Sequence, residues 1–340
     1  MLEVNEQVWQ GRAGAWQRPW AVSAGLSGRG CSRRLQRLAS DLALEEPFGR
    51  AAARLDEHHG VTLAPSTLRL ITLKHAGALA ARQLARPPVR VLPPAGADAV
   101  VVEADGTLLP HVEFAAGPGD RRKRRKVAFR EVRLLAARAA GQTLASYAVS
   151  LGDLAEAEAQ WQHAARQAGW AAPTYIHPVG DGAEWIAARA RTAFGPPARY
   201  LLDLYHVGGY LAAAAPAGDP DYLRRQKSAL CQAQAASVIA ELAARREPAD
   251  TPEVAAPVRA AHRYLSNRSD QLDYPSALAR DLPVGSGLIE SGHKHVLQKR
   301  LKIPGAAWLR SSCSAFAHAR AVRANGGWSA YWDSLSPAQN

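Results

Sequence analysis

The sequence predicts an α/β fold, with a strand-rich region interrupted by a helical insertion and preceded by a small helical domain, and three observations predict it. Ala99-Val100-Val101-Val102 is an apolar run without alternation, as in a central strand covered on both faces. Thr174–Val179 repeats that character and passes at once into helical spacing through Trp185, Ile186, Ala190 and Phe194. From Gly208 to about Leu282 the chain turns alanine-rich, which reads as an inserted set of helices.

Bulk properties narrow the class. A chain of 340 residues with 47% hydrophobic content is globular and long enough for about two domains. Lys and Arg outnumber Asp and Glu by 42 to 30 and the pI is near 10.0, which favours a polyanionic partner, nucleic acid before a membrane surface. No apolar run approaches the roughly 18 residues of a membrane span, and the N-terminus, with Glu3 and Glu6, is no signal peptide, so a cytoplasmic protein is expected. Cys31, Cys231 and Cys313 form no CxxC pair and no even set, which removes zinc ribbons and disulfide frameworks and leaves buried thiols.

Taken in order, residues 1–31 read as an extended lead-in rich in Gly, Arg and Trp. Residues 32–84 are helical: one helix through Leu35, Leu38, Leu42, Phe48 and Leu55 closed by Gly60, and another opened by Pro65-Ser66-Thr67. Helix, glycine-containing turn and helix fit either a DNA-reading helix-turn-helix, with Arg69 and Lys74 exposed, or a plain helical bundle. Residues 85–98, with Pro87, Pro88, Pro93 and Pro94, are a linker.

Asp105 then stands where the valine strand is expected to run out, either as a turn former or as a metal ligand. A second strand is expected over Leu108–Phe114, followed by Gly117-Pro118-Gly119-Asp120 and six consecutive cations: Arg121, Arg122, Lys123, Arg124, Arg125 and Lys126. That run is either a solvated hairpin tip or a phosphate-binding finger. Val127–Ala140 and Gln142–Leu151 read as strands, and a helix runs from an Asp153 cap to Gly169.

Asp181, flanked by Gly180 and Gly182, closes the next strand, and Tyr200–Val207 reads as another strand holding Asp203 with His206 three positions on. Finally, a glycine-bracketed Ser286 opens a helix to about Lys302 that carries Glu290 among His293, Lys294, Lys299 and Arg300. Glu290 is either a metal ligand beside phosphate-binding bases or half of a surface pair with Lys294 worth about 0.2–0.5 kcal/mol. Two aspartates at strand ends and one late glutamate are what two Mg²⁺ ions need for phosphoryl transfer, since hard oxygen ligands can hold the attacking and leaving oxygens in line. Asp181 is preferred over Asp203 as the second acid, because its strand ends there and a helix begins at once.

The segments VEADGTLLP, VGDGAEWI, LLDLYHVGGYL, LPVGSGLIESGHKHVLQKRLKIPGAAW and NGGWSAYW resemble the DDE-type insertion-sequence transposases of the ISKra group, which are distantly Mutator-like. The resemblance covers about residues 100–332 and is most specific in the long C-terminal segment. It implies an RNase H-like catalytic domain over 99–332 with a helical insertion at about 208–282 and a tail at 333–340. It also implies a catalytic and metal-binding triad of Asp105, Asp181 and Glu290, with Asp203 and His206 as supporting residues. Two Mg²⁺ or Mn²⁺ ions, double-stranded DNA as substrate, a homodimer or larger assembly on DNA, and a nucleoid location follow from it. Longer relatives carry a cysteine-containing N-terminal section whose cysteines this sequence lacks. The alternatives are a catalytically decayed DNA-binding descendant and an RNase H-like nuclease.

Overall fold

The computed structural model describes residues 8–10, 16–17, 31–196 and 198–335. Most of the expected lead-in and the last five residues of the expected tail lie outside the described residues. The chain divides into two compact units, residues 1–85 with 298–340, and residues 86–297. The sequence reading instead closed the second domain at 332.

In the first unit Ser32 caps α1 (Arg33–Glu45) by accepting the Leu35 amide proton. α2 (Phe48–His59) and α3 (Pro65–Leu84) follow. The expected single helix is thus two, because Pro47 has no amide proton to donate and disfavours helical backbone in Glu46 before it. Gly60 ends α2 in the left-handed region with φ +62°, as its position after the helix required.

The second unit is built on a five-stranded sheet. Its strands are β1 (Ala99–Phe114), β2 (Arg125–Ala139), β3 (Ser146–Ser150), β4 (Tyr175–Gly180) and β5 (Leu201–Leu202). They lie in the order β3-β2-β1-β4-β5, antiparallel on the β2 side of β1 and parallel on the β4 side. The valine run is central and fully buried, as its lack of alternation required.

Two strand expectations change. β1 does not stop at Asp105, and the strand expected over Leu108–Phe114 is its continuation. Up to Ala104 it is covered on both faces, while beyond Asp105 buried and exposed positions mix. β4 pairs with β1 only as far as Glu103, and β3 pairs with β2 only over Arg133–Ala137. Thr107–Phe114 and Arg125–Val132 therefore pair as a two-stranded ribbon beyond the sheet, about 27 Å long at roughly 3.4 Å per residue.

The strand expected over Tyr200–Val207 is likewise only Leu201–Leu202. Asp203 accepts the Tyr205 and His206 amide protons and so starts a helix where apolar residues suggested a strand.

Helices α4 (Leu154–Gln167, capped by Asp153) and α5 (Glu184–Phe194) connect β3 to β4 and β4 to β5. The insertion comprises α6 (Leu204–Ala213), α7 (Tyr222–Cys231), α8 (Ala235–Ala244), α9 (Pro257–Ser266) and α10 (Tyr274–Ala279). α11 (Gly287–Gly292) opens into a π-helical turn over His293–Gln298. Then come α12 (Lys299–Leu301), α13 (Arg310–Ala324) and α14 (Trp328–Asp333). No helix among the described residues is long and apolar enough to cross a membrane.

The basic residues near the C-terminus have structural partners in the first unit. Arg300 donates from Nε to the Ala43 carbonyl at 2.9 Å, Arg323 to the Asp41 carbonyl at 3.0 Å, and Arg320 to the Leu44 carbonyl. Three cations thus finish the carbonyl end of α1, where the helix dipole favours positive charge. Arg300 is 3% exposed and its guanidinium sits 5.0 Å from the ring centres of Phe48, Trp308 and Phe316. It cannot be the phosphate contact the sequence suggested. Lys299 is exposed but paired with Glu45 at 3.0 Å. Cys31 and Cys313 are buried and Cys231 is half-buried, none of the three in a disulfide among the described residues.

Candidate active site

The pairing of three strands brings three aspartates to one end of the sheet. Glu103 of β1 pairs with Val179 of β4, and Gly180 of β4 pairs with Leu202 of β5. Extending these registers past the last paired residues places Asp105, within β1, and Asp181 and Asp203, just after β4 and β5, at the same end of the parallel strands. α11 meets the same edge. Gly292 lets it approach the sheet, since a Cβ there would stand 2.7 Å from the Tyr147 ring and 2.9 Å from Leu134.

Each acid is held differently. Asp105, with its side chain 44% exposed, accepts the Gly106 amide proton on Oδ1 at 2.6 Å, and its Oδ2 lies 3.2 Å from His293 Nε2. His293 is buried, its approach to Asp105 falls outside hydrogen-bond geometry, and neither ring nitrogen has a hydrogen-bond partner among the described residues. This corrects its assignment as a nucleic-acid contact: a ring sealed beside Asp105 cannot reach a phosphate. Lys294, next to it, is exposed.

Asp181 turns Oδ1 back to the Ala183 amide at 2.9 Å, and its carbonyl accepts the Tyr264 hydroxyl proton at 2.6 Å. Glu290 is exposed, and among the described residues its carboxylate makes no ion pair, with Lys294 or any other base.

Asp203 is 1% exposed and fully occupied. Oδ1 accepts from the Tyr205 and His206 amides at 2.5 and 3.1 Å, and Oδ2 accepts from the Ser286 amide at 2.6 Å and from the Ser286 hydroxyl. Burial alone would raise this carboxyl, but the Ser286 hydroxyl and the three amides hold it below the ordinary carboxylate range. Asp203, His206 and Glu290 do bring ligand atoms within 4.8 Å of one another. Four donors already fill the roughly four lone-pair positions of the Asp203 carboxylate, however, so it fits a brace between α6 and α11 better than a free ligand.

Sequence reasoning missed Glu103. It is 1% exposed on the central strand, on the same side as Asp105 two residues later, and accepts the Ile289 amide proton of α11 at 2.8 Å. Burial pushes its carboxyl up to about 8 against the pull of the Ile289 amide and Arg138, with Asp203 adding to the rise. The one signal was a glutamate directly after the valine run. Glu103 and Asp203 together tie the Glu290 helix to the strands that carry the aspartates, and His293 packs beside Asp105.

An open cleft of about 580 Å³ adjoins this cluster, lined by Tyr205, His206, Gly209, Tyr210, Ala213 and Glu290. The six-cation run is a short 3₁₀ turn and the start of β2 at the ribbon tip. Arg121 stacks on Phe114 at 4.1 Å, Arg122 pairs with Asp120, and Arg124 turns back to the Gly119 carbonyl. Lys123, Arg125 and Lys126 are exposed and without ion pairs among the described residues.

The model of an uncharacterised protein family, UPF0236, matches residues 163–332, half of the chain. The chain belongs to UPF0236. The UPF0236 match takes in Asp181, Asp203, His206, Glu290 and His293, and it leaves Asp105, Glu103 and the ribbon outside. No curated protein matches the chain.

Proposed function

We propose that this UPF0236 protein is a DDE-type transposase of the ISKra kind that cuts and joins DNA strands, with Asp105, Asp181 and Glu290 as its catalytic acids. The observation that carries the reading is the placement of Asp105 and Asp181 just past the last paired residues of neighbouring strands, at the end of the sheet where Glu103 accepts the Ile289 amide proton of the helix that bears Glu290. An RNase H-like domain asks for its first acid on a central strand and its second at the end of an adjacent strand that leads into a helix. β1, β4 and α5 support that assignment.

The donor set suits hard divalent cations. Asp105 and Asp181 each spend one oxygen on a neighbouring amide, while the Glu290 carboxylate is unengaged. Asp105, Asp181 and Glu290 would hold two Mg²⁺ or Mn²⁺ ions, which when bound lower the pKa of an attacking water and offset charge on the phosphoryl group. Asp203 and Glu103 fix the helix that carries Glu290. His293 holds one side of Asp105 away from solvent. Lys123, Arg125, Lys126 and Lys294 supply charge for the backbone of double-stranded DNA. Assembly as a dimer or larger on DNA belongs to the same proposal.

Purified protein incubated with supercoiled plasmid, and with duplexes containing the inverted repeats that flank its gene, tests this. Nicking is expected in Mg²⁺ and not in EDTA, and it should vanish in Asp105→Asn, Asp181→Asn and Glu290→Gln while DNA binding persists. Binding without any cut by the wild type would leave a DNA-binding descendant. Cutting indifferent to the repeats would leave a nuclease.

A further inference from the structure

We infer that the cleft beside Glu290 receives an unpaired nucleobase, stacked on Tyr210, from the DNA strand whose phosphate is handled at the acids. The inference rests on the reading of this unit as a DNA-cutting enzyme and adds a binding site to it.

Tyr210 lines the cleft and keeps 38% of its surface exposed, while its ring stacks on Tyr264 with centroids 4.0 Å apart and planes 16° from parallel. Tyr264 is anchored in turn: its hydroxyl donates to the Asp181 carbonyl, and Arg268, 4.6 Å from its ring centre, donates from Nε to the Gly182 carbonyl at 3.0 Å. A rigid aromatic platform is therefore registered on the turn that presents Asp181. Tyr205, 71% exposed, forms another wall, set against Gly285 so closely that a Cβ there would lie 2.6 Å from its ring. Lys227 Nζ lies 5.0 Å over the Tyr205 ring, a cation within reach of a phosphate that enters with the base.

Aromatic faces beside a carboxylate site suit a ligand that joins a flat π-face to a phosphodiester, and an unpaired nucleotide is that ligand. Stacking tolerates every base, so the pocket would grip a displaced nucleotide at the cut without reading its identity. A cleft of about 580 Å³ is ample for one such group.

The test uses the full chain in EDTA with forked duplexes that carry 2-aminopurine at each unpaired position in turn, against the fully paired duplex. Expected are quenching at one unpaired position and tighter binding of the fork. Tyr210→Phe should keep both, whereas Tyr210→Leu should lose the quenching and weaken fork binding about tenfold or more. No quenching at any position, equal quenching in Tyr210→Leu, or no preference for the fork would overturn the pocket. Because a Tyr210 variant could misfold, 5-iodouracil at the unpaired position of the wild-type complex gives an independent reading. Cross-links to Tyr205 or Tyr210 are expected, and cross-links confined to other regions refute it. Protein that nicks DNA yet shows no fork preference loses only this inference; protein that binds none of these DNAs loses the proposed function with it.

Discussion

Replacing Glu103 by Gln should remove the loss of stability with rising pH that this carboxyl imposes on the sheet unit. Glu103 accepts a backbone proton from α11 while 1% exposed, and burial moves its carboxyl from the ordinary 4.5 up to about 8. In the unfolded chain the group loses its proton near pH 4.5, whereas in the fold it keeps it until about 8, so between these values the folded state binds one more proton. The stabilisation is complete below the unfolded value and is lost as pH rises through the folded one. At about 1.4 kcal/mol per pH unit the interval corresponds to roughly 5 kcal/mol. Gln keeps an oxygen for the Ile289 amide but cannot ionise. In urea unfolding in EDTA at pH 5 and pH 8, going to the higher pH should lower the wild-type midpoint relative to that of the Gln variant. Equal losses in both proteins would refute the assignment of this dependence to Glu103.

In the first unit, burial and the charge of Lys74 depress His75 to about 4, while its ring nitrogens meet Tyr331 and Gln36 at 2.9 Å. Its contribution is complete above pH 6.5 and is lost as pH falls toward 4, about 3 kcal/mol, so His75→Gln should flatten the acid limb of a stability profile. Arg300→Met should cost about 1–3 kcal/mol by leaving the Ala43 carbonyl unpaired, and Lys299→Ala at most about 1 kcal/mol, both read from thermal melts. Replacing Lys123, Arg125 and Lys126 by Ala should flatten the log-log salt slope of DNA affinity by up to about 3, and an unchanged slope would make the ribbon tip a solvated turn. If α3 reads bases, Arg69→Ala with Lys74→Ala should lower preference for the element ends without unfolding the unit. That pair is a cleaner probe than deleting residues 1–85, which would also strip the partners of Arg300, Arg320 and Arg323.

What the sequence made legible were elements whose ends carry their own chemistry. Asp153 and Gly169 bracket α4, Gly180-Asp181-Gly182 marks the passage from β4 to α5, and Ser286 with its glycines opens α11. What stayed hidden depended on distant neighbours. The valine run ends where β1 loses its cover, not where the strand stops, so Asp105 looked terminal while lying mid-strand. Leu201–Val207 is apolar enough for a strand or a helix, and the cap at Asp203 decides for the helix. Arg300 has the local setting of a surface cation, and only the carbonyls of α1 and three aromatic rings, far away in the chain, bury it.

The ribbon also sets a length. Asp105 lies nine residues before the end of β1, so up to about 31 Å of strand separates it from the cationic turn. One turn of B-form DNA is about 34 Å. If the acids engage one phosphate, the turn can touch the backbone nearly a full helical repeat away, on the same side of the duplex. The protected region around a cut would then be lopsided, extending about ten base pairs further in the direction of the ribbon, and shortening the ribbon by two residues per strand would draw that boundary in by about two base pairs.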